Sequence, residues 1–473
     1  MLSLSRRPGT ILPAMRTTPD LTAFKGTLLR PPDAGYEESR RIWNDAIDKR
    51  PALIARCASA EDAAVALGYA LGEGLPVAIR GGGHNVSGSA LCEGGVVIDF
   101  SALRGVTVDP ERRLARVQPG ALWGDFDTAT QGHGLAAPAG IVTHTGVAGL
   151  TVGGGFGWLS RRWGLTSDNL NSVRMLLAEG SRVRAAEDEN ADLFWAVCGG
   201  GGNFGIVTEF EFRLHPLGTT VLAGPLIYRS DQAREVLLHY REFIASAPDE
   251  LAVYLSLRTA PALDWVPPEL RGSDVLLVIP CWCGELDEGE AVLRPLREFG
   301  PPAADLVERK PYISHQSMFD AGVPHHWGYY WKSHYLPPLS DGAIDVLLAY
   351  SWQKAAPTSY TIVFHLGGAI ARVSEDASAA SGRDAAHAIN LNAAWKEGGA
   401  SHPDIDWCRD YFAAMEPHAT GGVYVNFLHN DEGDGRVRAA YGERYDRLAQ
   451  IKRRYDPDNA FRSNQNIRPA SSG

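Results

Sequence analysis

Residues 80–85 carry the residue types that could hold an anionic ligand and bond to it. The segment reads RGGGHN; its glycines let backbone N–H groups approach a pyrophosphate closely, and Arg80 can offset the ligand's charge. The apolar run 75–79 precedes it, which predicts a strand that ends where the loop begins. A triple glycine alone is more often a plain turn. His84, at the end of the run, favours a binding loop.

Two further glycine clusters lie at 138–157 and 199–205. The first implies backbone packed against something flat or anionic, although a tight helix-to-turn packing motif explains it equally well. The second contains GxGxxG at Gly200, Gly202 and Gly205. A dinucleotide fingerprint must open a helix, whereas residues 206–214 alternate like a strand. This context argues against an NAD-dependent dehydrogenase.

Composition restricts the function class. The 473 residues carry a formal charge of -11, which argues against a nucleic-acid surface and favours a small, neutral or cationic substrate. No apolar run approaches the ~20 residues of a membrane span, and residues 1–25 lack the apolar core of a signal peptide. We therefore expect a cytoplasmic protein with no membrane partner. The six cysteines form no CxxC pair, so we predict reduced thiols and no metal site.

The pattern of elements predicts an α+β fold. A capped helix over 59–71 leads into the strand before the glycine loop, and short β segments follow at hairpin spacing. From residue 218 the pattern changes to Pro-rich connections, amphipathic helices and apolar strands, which indicates a separate sheet with helices on one side. We predict an N-terminal extension over 1–50, a first domain over 51–217, a second over 218–420, and a return to the first domain over 421–473.

Six segments stand in order along the chain: RGGGH at 80–84, HTGVAG at 144–149, DNL at 168–170, DLFWAV at 192–197, GGNFGIVT at 201–208 and the stretch 455–467. Together they resemble the motifs of the berberine bridge enzyme-like (6-hydroxy-D-nicotine oxidase-like) branch of the vanillyl-alcohol oxidase/p-cresol methylhydroxylase superfamily of FAD enzymes. The resemblance implies a two-subdomain FAD-binding domain of the p-cresol methylhydroxylase type. It also implies an α+β substrate domain with an antiparallel sheet.

The resemblance further implies how FAD is held. A loop like 80–84 holds the pyrophosphate, and a histidine at the position of His84 bonds covalently to the flavin ring methyl. Some relatives add a cysteine link four residues before the glycine that matches Gly146. That position is Val142, so we expect FAD attached through His84 only. The residues expected to bind the cofactor are Arg80, Gly81, Gly82, Gly83, His84, Asn85, Ser87, Gly88, Pro138, Ala139, Gly140, Thr143, His144, Gly146, Gly149, Gly153, Gly154, Gly155, Gly157, Trp158, Asn203, Gly205, Val207, Asn464 and Asn466.

Two catalytic residues follow from the same resemblance. Thr145 falls where relatives control access of dioxygen to the flavin, and its small side chain favours an oxidase over a dehydrogenase. Tyr424 falls in a segment that approaches the flavin, where a tyrosine serves as a base in this branch; a buried tyrosine bonded to backbone is an equally good interpretation.

The substrate residues are expected in the second domain and near Tyr424. Residues 325–335 alternate so that one strand face shows Tyr330 and His334 and the other shows Trp327 and Trp331. We assign Tyr330 and His334 to the substrate cavity, together with His365 and Asn426.

The hypothesis from sequence is an FAD-dependent oxidase of a secondary metabolite, such as an alcohol, a phenolic polyketide or an amine. Hydride would pass to covalent FAD, and dioxygen would be reduced to hydrogen peroxide. The alternatives are a flavoprotein cyclase or intermediate-binding protein without net redox chemistry and, less favoured, the NAD-dependent dehydrogenase. The sequence is compatible with an oligomer.

Overall fold

The computed structural model describes residues 20–396 and 402–471. The first 19 residues of the predicted N-terminal extension lie outside this range, as does most of the segment inspected for a signal peptide. Within the described ranges, no helix combines the length and apolarity needed to cross a membrane. All six cysteines are buried and unpaired, as predicted.

A four-stranded sheet leads to the first glycine loop. Its order is β1-β2-β4-β3, with β2 and β3 parallel to β4. The helix α2 begins where the Ser59 hydroxyl accepts the Asp62 N–H, and it packs its small apolar face on the sheet. The elements are β1 Thr27–Leu29, α1 Tyr36–Ser39, β2 Leu53–Arg56, α2 Ala60–Gly72, β3 Val77–Arg80 and β4 Val96–Asp99.

A five-stranded antiparallel sheet follows, in the order β5-β6-β10-β8-β9. Strand β10 starts directly after the GxGxxG sequence, which confirms that these glycines do not open a helix. The elements are β5 Val106–Asp109, β6 Leu114–Val117, α3 Trp123–Gln131, β7 Leu135–Ala136, α4 Val147–Val152, α5 Ser160–Trp163, β8 Leu170–Leu176, β9 Arg182–Ala185, α6 Ala191–Val197, β10 Ile206–Arg213 and β11 His215–Pro216.

A nine-stranded antiparallel sheet follows β11. Its main path is β16-β13-β15-β14-β19-β20-β18, and β12 joins β15 and β17 at one side. Helices α7, α8, α10 and α12 contribute to the apolar core on one face, and the other face looks toward the glycine segments. The elements are β12 Thr220–Ala223, β13 Leu226–Arg229, α7 Ala233–Ile244, β14 Leu251–Thr259, β15 Asp274–Trp282, α8 Leu286–Glu298, β16 Ala304–Asp305, β17 Glu308–Pro311, α9 Tyr312–Gln316, β18 Gly328–Leu336, α10 Asp341–Ser351, β19 Tyr360–His365, α11 Ala369–Arg372, β20 His387–Trp395 and α12 Pro403–Met415.

The C-terminal segment packs against the five-stranded sheet through α13 (Asp434–Tyr441) and α14 (Tyr445–Tyr455). The fully buried ammonium of Lys452 donates to Asp456 at 2.6 Å and to the carbonyl of Asn203 at 2.7 Å. The bond to Asn203 ties the segment to the third glycine cluster, and Asp456 supplies the counter-charge that the buried ammonium needs. The α+β prediction is confirmed. The boundary near residue 217 stays a prediction, although β11 and β12, on either side of it, belong to different sheets.

Candidate functional site

A large cavity lies between the glycine segments, the C-terminal segment and the open face of the nine-stranded sheet. Its lining, among the residues that the structure describes, contains no aspartate, glutamate, lysine or arginine. The predicted site residues that line it are Gly81, Gly82, Gly83, His84, Asn85, Gly140, Thr145, Gly146, Gly149, Asn203, Gly205, Val207, Tyr424, Asn426 and Asn464. The fold thus brings together residues from four distant parts of the chain.

The loop after β3 needs glycine because it packs backbone against backbone. A Cβ on Gly82 would lie 2.5 Å from the Cα of Gly146, and one on Gly81 would lie 2.8 Å from the carbonyl oxygen of Pro119. Gly83 has a φ of 68°, in the left-handed region that disfavours other residues. Arg80, just before the loop, donates to the carbonyl of Ser39 at 2.5 Å, and its Nε is buried without a partner in the described residues.

His84 is buried at the cavity wall, and its Nε2 has no hydrogen-bond partner in the described ranges. Its ring stacks on Trp43 at 4.2 Å between centroids, while the rings of His144 and His325 lie 5.0 and 6.4 Å away. Burial holds the pKa of His84 well below its usual range, and the two other histidines lower it further. The imidazole is therefore neutral near pH 7, so a ring nitrogen keeps a lone pair available for bonding.

The turn after His84 is held by Asn85. Its side-chain oxygen accepts the backbone N–H of Ser87 at 3.0 Å, and its carbonyl accepts the N–H of Gly88 at 3.1 Å. Ser87 and Gly88 do not line the cavity. They shape the loop that presents His84.

The second glycine segment forms the next wall. Val142 and Thr145 line the cavity, and the N–H of Thr143 is held by the Asp320 carboxylate at 2.9 Å. His144 is outside the lining, and both of its ring nitrogens are buried and unpartnered in the described residues. Burial lowers its pKa.

Seven predicted cofactor-binding residues in or next to this segment are absent from the lining: Pro138, Ala139, Gly153, Gly154, Gly155, Gly157 and Trp158. A Cβ on Gly157 would meet the carbonyl oxygen of Ala139, which follows Pro138, at 2.0 Å; Trp158 is buried against Tyr254 with a centroid distance of 4.4 Å. A Cβ on Gly153 would meet the side chain of Asn426 at 2.3 Å. Gly154 and Gly155 have φ values of 104° and 78°. These residues fix the backbone instead of contacting a ligand in the cavity.

The C-terminal segment closes the cavity near the third glycine cluster. Asn203 donates to the carbonyl of Gln465 at 3.2 Å and accepts the N–H of Ile467 at 3.0 Å. Asn464 donates to the carbonyl of Gly202 at 3.0 Å. The side-chain oxygens of Asn464 and Asn466 are buried without partners in the described part of the chain, so both can accept a hydrogen bond from a ligand.

Tyr424 points its hydroxyl at the second glycine segment. Its oxygen accepts the backbone N–H of Gly155 at 3.1 Å and the amide of Asn426 at 2.7 Å. Burial raises its pKa, and the two donors act in the opposite direction because they favour the phenolate. Phe156 and Phe427 pack against its ring at 4.6 and 4.9 Å.

The prediction of substrate contact is wrong for Tyr330, His334 and His365. None of the three lines the cavity, and Tyr330 and His334 project to the side of the sheet that the helices cover. Tyr330 donates to Asp431 at 2.6 Å, and His334 stacks on Phe412 of α12 at 4.1 Å. His365 faces His387. The predicted alternation of β18 is correct, but the face that carries Trp331 lines the cavity instead of the face that carries Tyr330.

Sequence reasoning missed Trp43 and the cavity face of β19 and β20. Trp43 stacks on Tyr329 at 3.7 Å and donates to the carbonyl of Val323 at 2.9 Å, so it joins the N-terminal segment to the large sheet. No local signal marks it. The other missed residues are Tyr360, Ile362 and Phe364 on β19 and Asn390 and Asn392 on β20. Alternation within 360–366 could have found the three on β19.

Comparison with known proteins gives two matching family models: FAD binding domain over residues 51–186, and berberine and berberine like over residues 423–468. The chain is similar to an uncharacterized FAD-linked oxidoreductase of Bacillus subtilis, with 31% identity over 95% of this chain and 98% of that protein. It is similar to (R)-6-hydroxynicotine oxidase of Paenarthrobacter nicotinovorans, with 30% identity over 95% and 98% of the two chains.

Solved structures agree with this likeness. The crystal structure of 6-hydroxy-D-nicotine oxidase from Arthrobacter nicotinovorans matches with a TM-score of 0.84 and 27% identity, covering 97% of this chain and 100% of that one. Glucooligosaccharide oxidase from Acremonium strictum has the same fold, with a TM-score of 0.83 and 24% identity, covering 94% and 98%.

The contact between Gly82 and Gly146 should not tolerate a side chain. We expect Gly82→Ala to lower the free energy of unfolding by about 1–3 kcal/mol, because an added methyl group must push two backbones apart. Gly68→Ala is the matched control: no heavy atom outside its own helix and chain neighbours lies within 4 Å of the added Cβ, and alanine favours the helix. Denaturant titration measures both. Equal stability of Gly82→Ala and wild type would contradict the expectation.

Proposed function

Because the chain belongs to the berberine bridge enzyme-like branch of the FAD-linked oxidoreductases, we propose that it is an oxidase that holds FAD through one covalent bond, to His84. The observation that carries the proposal is the neutral, buried imidazole of His84 beside a glycine loop. The covalent link keeps the cofactor in place and raises its reduction potential.

The residues around the cavity fit FAD. Arg80 Nε and the backbone of the loop 81–83 offer donors and close approach for a pyrophosphate. Asn464 and Asn466 offer buried acceptor oxygens that lack partners in the described residues. Unpaired buried polar atoms are costly, and a polar cofactor that pairs them removes this cost.

When bound, FAD accepts a hydride from a substrate C–H bond and passes the electrons to dioxygen, which yields hydrogen peroxide. The chain's own task is to place the substrate, exclude water and take up the proton of an oxidised alcohol or phenol. The aromatic side chains of Phe156, Phe364 and Phe427 form a water-excluding wall around Tyr424. Because that wall also suits planar groups, we propose a secondary metabolite as the substrate: an alcohol, a phenolic polyketide or an amine.

A single link to FAD is favoured by Val142. This side chain lines the cavity at the position where some relatives carry a cysteine. Glucooligosaccharide oxidase from Acremonium strictum carries a 6-S-cysteinyl, 8α-N1-histidyl FAD, so that protein uses two links. A valine has no nucleophile, and none of the cysteines among the described residues lines this cavity.

Replacement of the linking residue tests the covalent assignment. We expect acid-precipitated wild-type protein to remain yellow and acid-precipitated His84→Ala protein to be colourless, because the alanine variant holds FAD by noncovalent contacts alone. His144→Ala, which removes a neighbouring buried histidine, is the control and should remain yellow. Absorbance of the redissolved precipitate measures both. Colour in the His84→Ala precipitate would contradict attachment at His84.

Thr145 supports the oxidase proposal over a dehydrogenase. It lines the cavity, and its backbone is fixed by hydrogen bonds from Trp123 and to Val142. Because its position in the chain is rigid, the size of its side chain determines how much space remains for dioxygen.

Enlarging this side chain should therefore hinder dioxygen. We expect Thr145→Leu to slow reoxidation of the reduced enzyme by about tenfold, equal to about 1.4 kcal/mol in the barrier, and by more than it slows anaerobic reduction. Thr145→Ser keeps the space open and should reoxidise like wild type. Stopped-flow mixing of reduced enzyme with aerated buffer measures the rate. Very slow reoxidation of wild type itself would refute the oxidase proposal.

Tyr424 is proposed as the base. Its oxygen already accepts two hydrogen bonds, which stabilise the phenolate as it forms and leave the third site on the oxygen for a substrate proton. The same two bonds also have a structural effect, since they join the C-terminal segment to Gly155.

Kinetics can separate a catalytic role of Tyr424 from a structural one. We expect Tyr424→Phe to slow anaerobic flavin reduction by about 10²–10⁴-fold and to remove the rise in rate at alkaline pH, because phenylalanine cannot ionise. Tyr441→Phe is the control: it removes a cavity-lining hydroxyl that donates to the carbonyl of Gly200 at 3.2 Å. A purely structural Tyr424 would lose stability in the variant and retain the wild-type pH profile.

A further inference from the structure

Arg258 lies on the face of the nine-stranded sheet that borders the cavity, next to lining residues and outside the lining itself. It stands on β14 directly across from Tyr360 on β19, and Tyr360 lines the cavity. Paired residues of antiparallel strands project from the same face, and the guanidinium lies over the Tyr360 ring at 4.9 Å. The turn Asp320–Gly322 passes beside it, since a Cβ on Gly322 would lie 3.5 Å from Nη2. Phe319 and Val323, which flank that turn, also line the cavity.

The charge of Arg258 is uncompensated in the described ranges. The residue is 6% exposed, its Nε has no partner, and it makes no ion pair or hydrogen bond with the described residues. Asp320 in the neighbouring turn is bonded to Thr143 instead. A guanidinium does not deprotonate in a protein, and burying it without a partner strongly disfavours folding.

Two other buried arginines have hydrogen-bond partners for their Nη atoms, although the Nε of Arg383 has none among the described residues. Arg161 donates to the carbonyls of Leu251, Leu366 and Ala247, and Arg383 pairs with Asp168. Arg258 differs from both because the Tyr360 ring and the turn Asp320–Gly322 lie beside its guanidinium without a hydrogen bond to it, so a structural role does not account for it.

Three more donors on the same face lack acceptors within the described residues. They are the hydroxyl of Ser256, the indole N–H of Trp331 and the amide of Asn390. The register of the four strands β14, β19, β20 and β18 places one residue of each in a row across the sheet: Arg258, Tyr360, Asn392 and Trp331. The next row contains Ser256, Ile362 and Asn390. Of these donors, Trp331 and Asn390 line this end of the cavity, whereas Arg258 and Ser256 pair with the lining residues Tyr360 and Ile362. No carboxylate among the described residues lines the cavity.

We infer that Arg258, assisted by Ser256, Trp331 and Asn390, is a specificity site for an anionic group of the substrate, such as a carboxylate. The inference rests on the proposed oxidase function and names its substrate class. It replaces the neutral or cationic substrate expected from net charge. A carboxylate offers two acceptor oxygens to the planar guanidinium and supplies the missing counter-charge.

The position of the site also sets the length of the substrate. Tyr360 and Phe364 stand on one face of β19, four residues or roughly 13 Å apart along the strand. Phe364 contacts Phe156 at 5.1 Å, and Phe156 contacts Tyr424. The anionic group and the oxidised carbon are thus at opposite ends of a mid-sized apolar body.

Binding of acids and their matched amides tests this inference. The probes are benzoate, 3-phenylpropanoate and their primary amides, added to the flavin-loaded protein. The readouts are the perturbation of flavin absorbance and the shift in thermal midpoint. We expect at least one acid to bind wild type about 30-fold or more tightly than its amide, and this preference to vanish in Arg258→Met and return in part in Arg258→Lys.

A stability comparison separates a binding role from a structural one. We expect ligand-free Arg258→Met to be as stable as wild type or more stable, because it removes an unpaired buried charge. Arg161→Met is the matched control and should lose stability, since it leaves several buried carbonyls without donors. If no acid binds more tightly than its amide, or if Arg258→Met is destabilised like Arg161→Met, the inference is overturned. Failure of the oxidase proposal would be seen separately, as absence of peroxide with the acid preference intact.

Discussion

The close approach of two backbones, at Gly82 and Gly146, is the constraint on which the site depends. No side chain fits between them, so the loop after the parallel sheet and the turn before α4 are locked together. His84 follows one of these glycines by two residues, and Thr145 precedes the other directly. Because His84 and Thr145 each adjoin one side of this contact, the proposed linking histidine and the residue proposed to control dioxygen access keep a fixed position relative to each other. The glycines are needed for packing as much as for ligand approach.

The site also depends on how charged side chains are distributed in the protein interior. Lys452, paired with Asp456, also binds the distant carbonyl of Asn203, and Arg383 pairs with the distant Asp168, so both cations have a carboxylate partner within the protein. Arg80 and Arg258, at the cofactor loop and on the large sheet, keep donors without partners among the described residues. A folded chain retains such costly groups where a ligand completes them. The same reasoning distinguishes His84, Asn464 and Asn466 from polar residues that only support the backbone.

Sequence patterns predicted the features that local chemistry determines. They failed for features that depend on packing between segments distant in the chain. The strand after Gly205 followed from alternation that no helix would show, and the glycines at 81–83 were recognisable because close backbone approach requires that residue type. Alternation in β18 separates Tyr330 from Trp331, but it does not say which face meets the cavity; that depends on helices α10 and α12, which cover the other side. Trp43 is missed for a similar reason, because its partners are about 280 residues away. A single sequence does not display such contacts.

The net charge of the chain and the proposed anion site favour different substrates. A formal charge of -11 describes mostly exposed carboxylates, and those lie in water where salt screens them beyond about 8–10 Å. A substrate inside the cavity experiences the few buried groups far more strongly, since the local dielectric is low. One unpaired guanidinium beside the cavity therefore outweighs the surface excess of acid. The proposal therefore weighs the charge next to the desolvated cavity, which Arg258 makes positive, above the net charge of the chain.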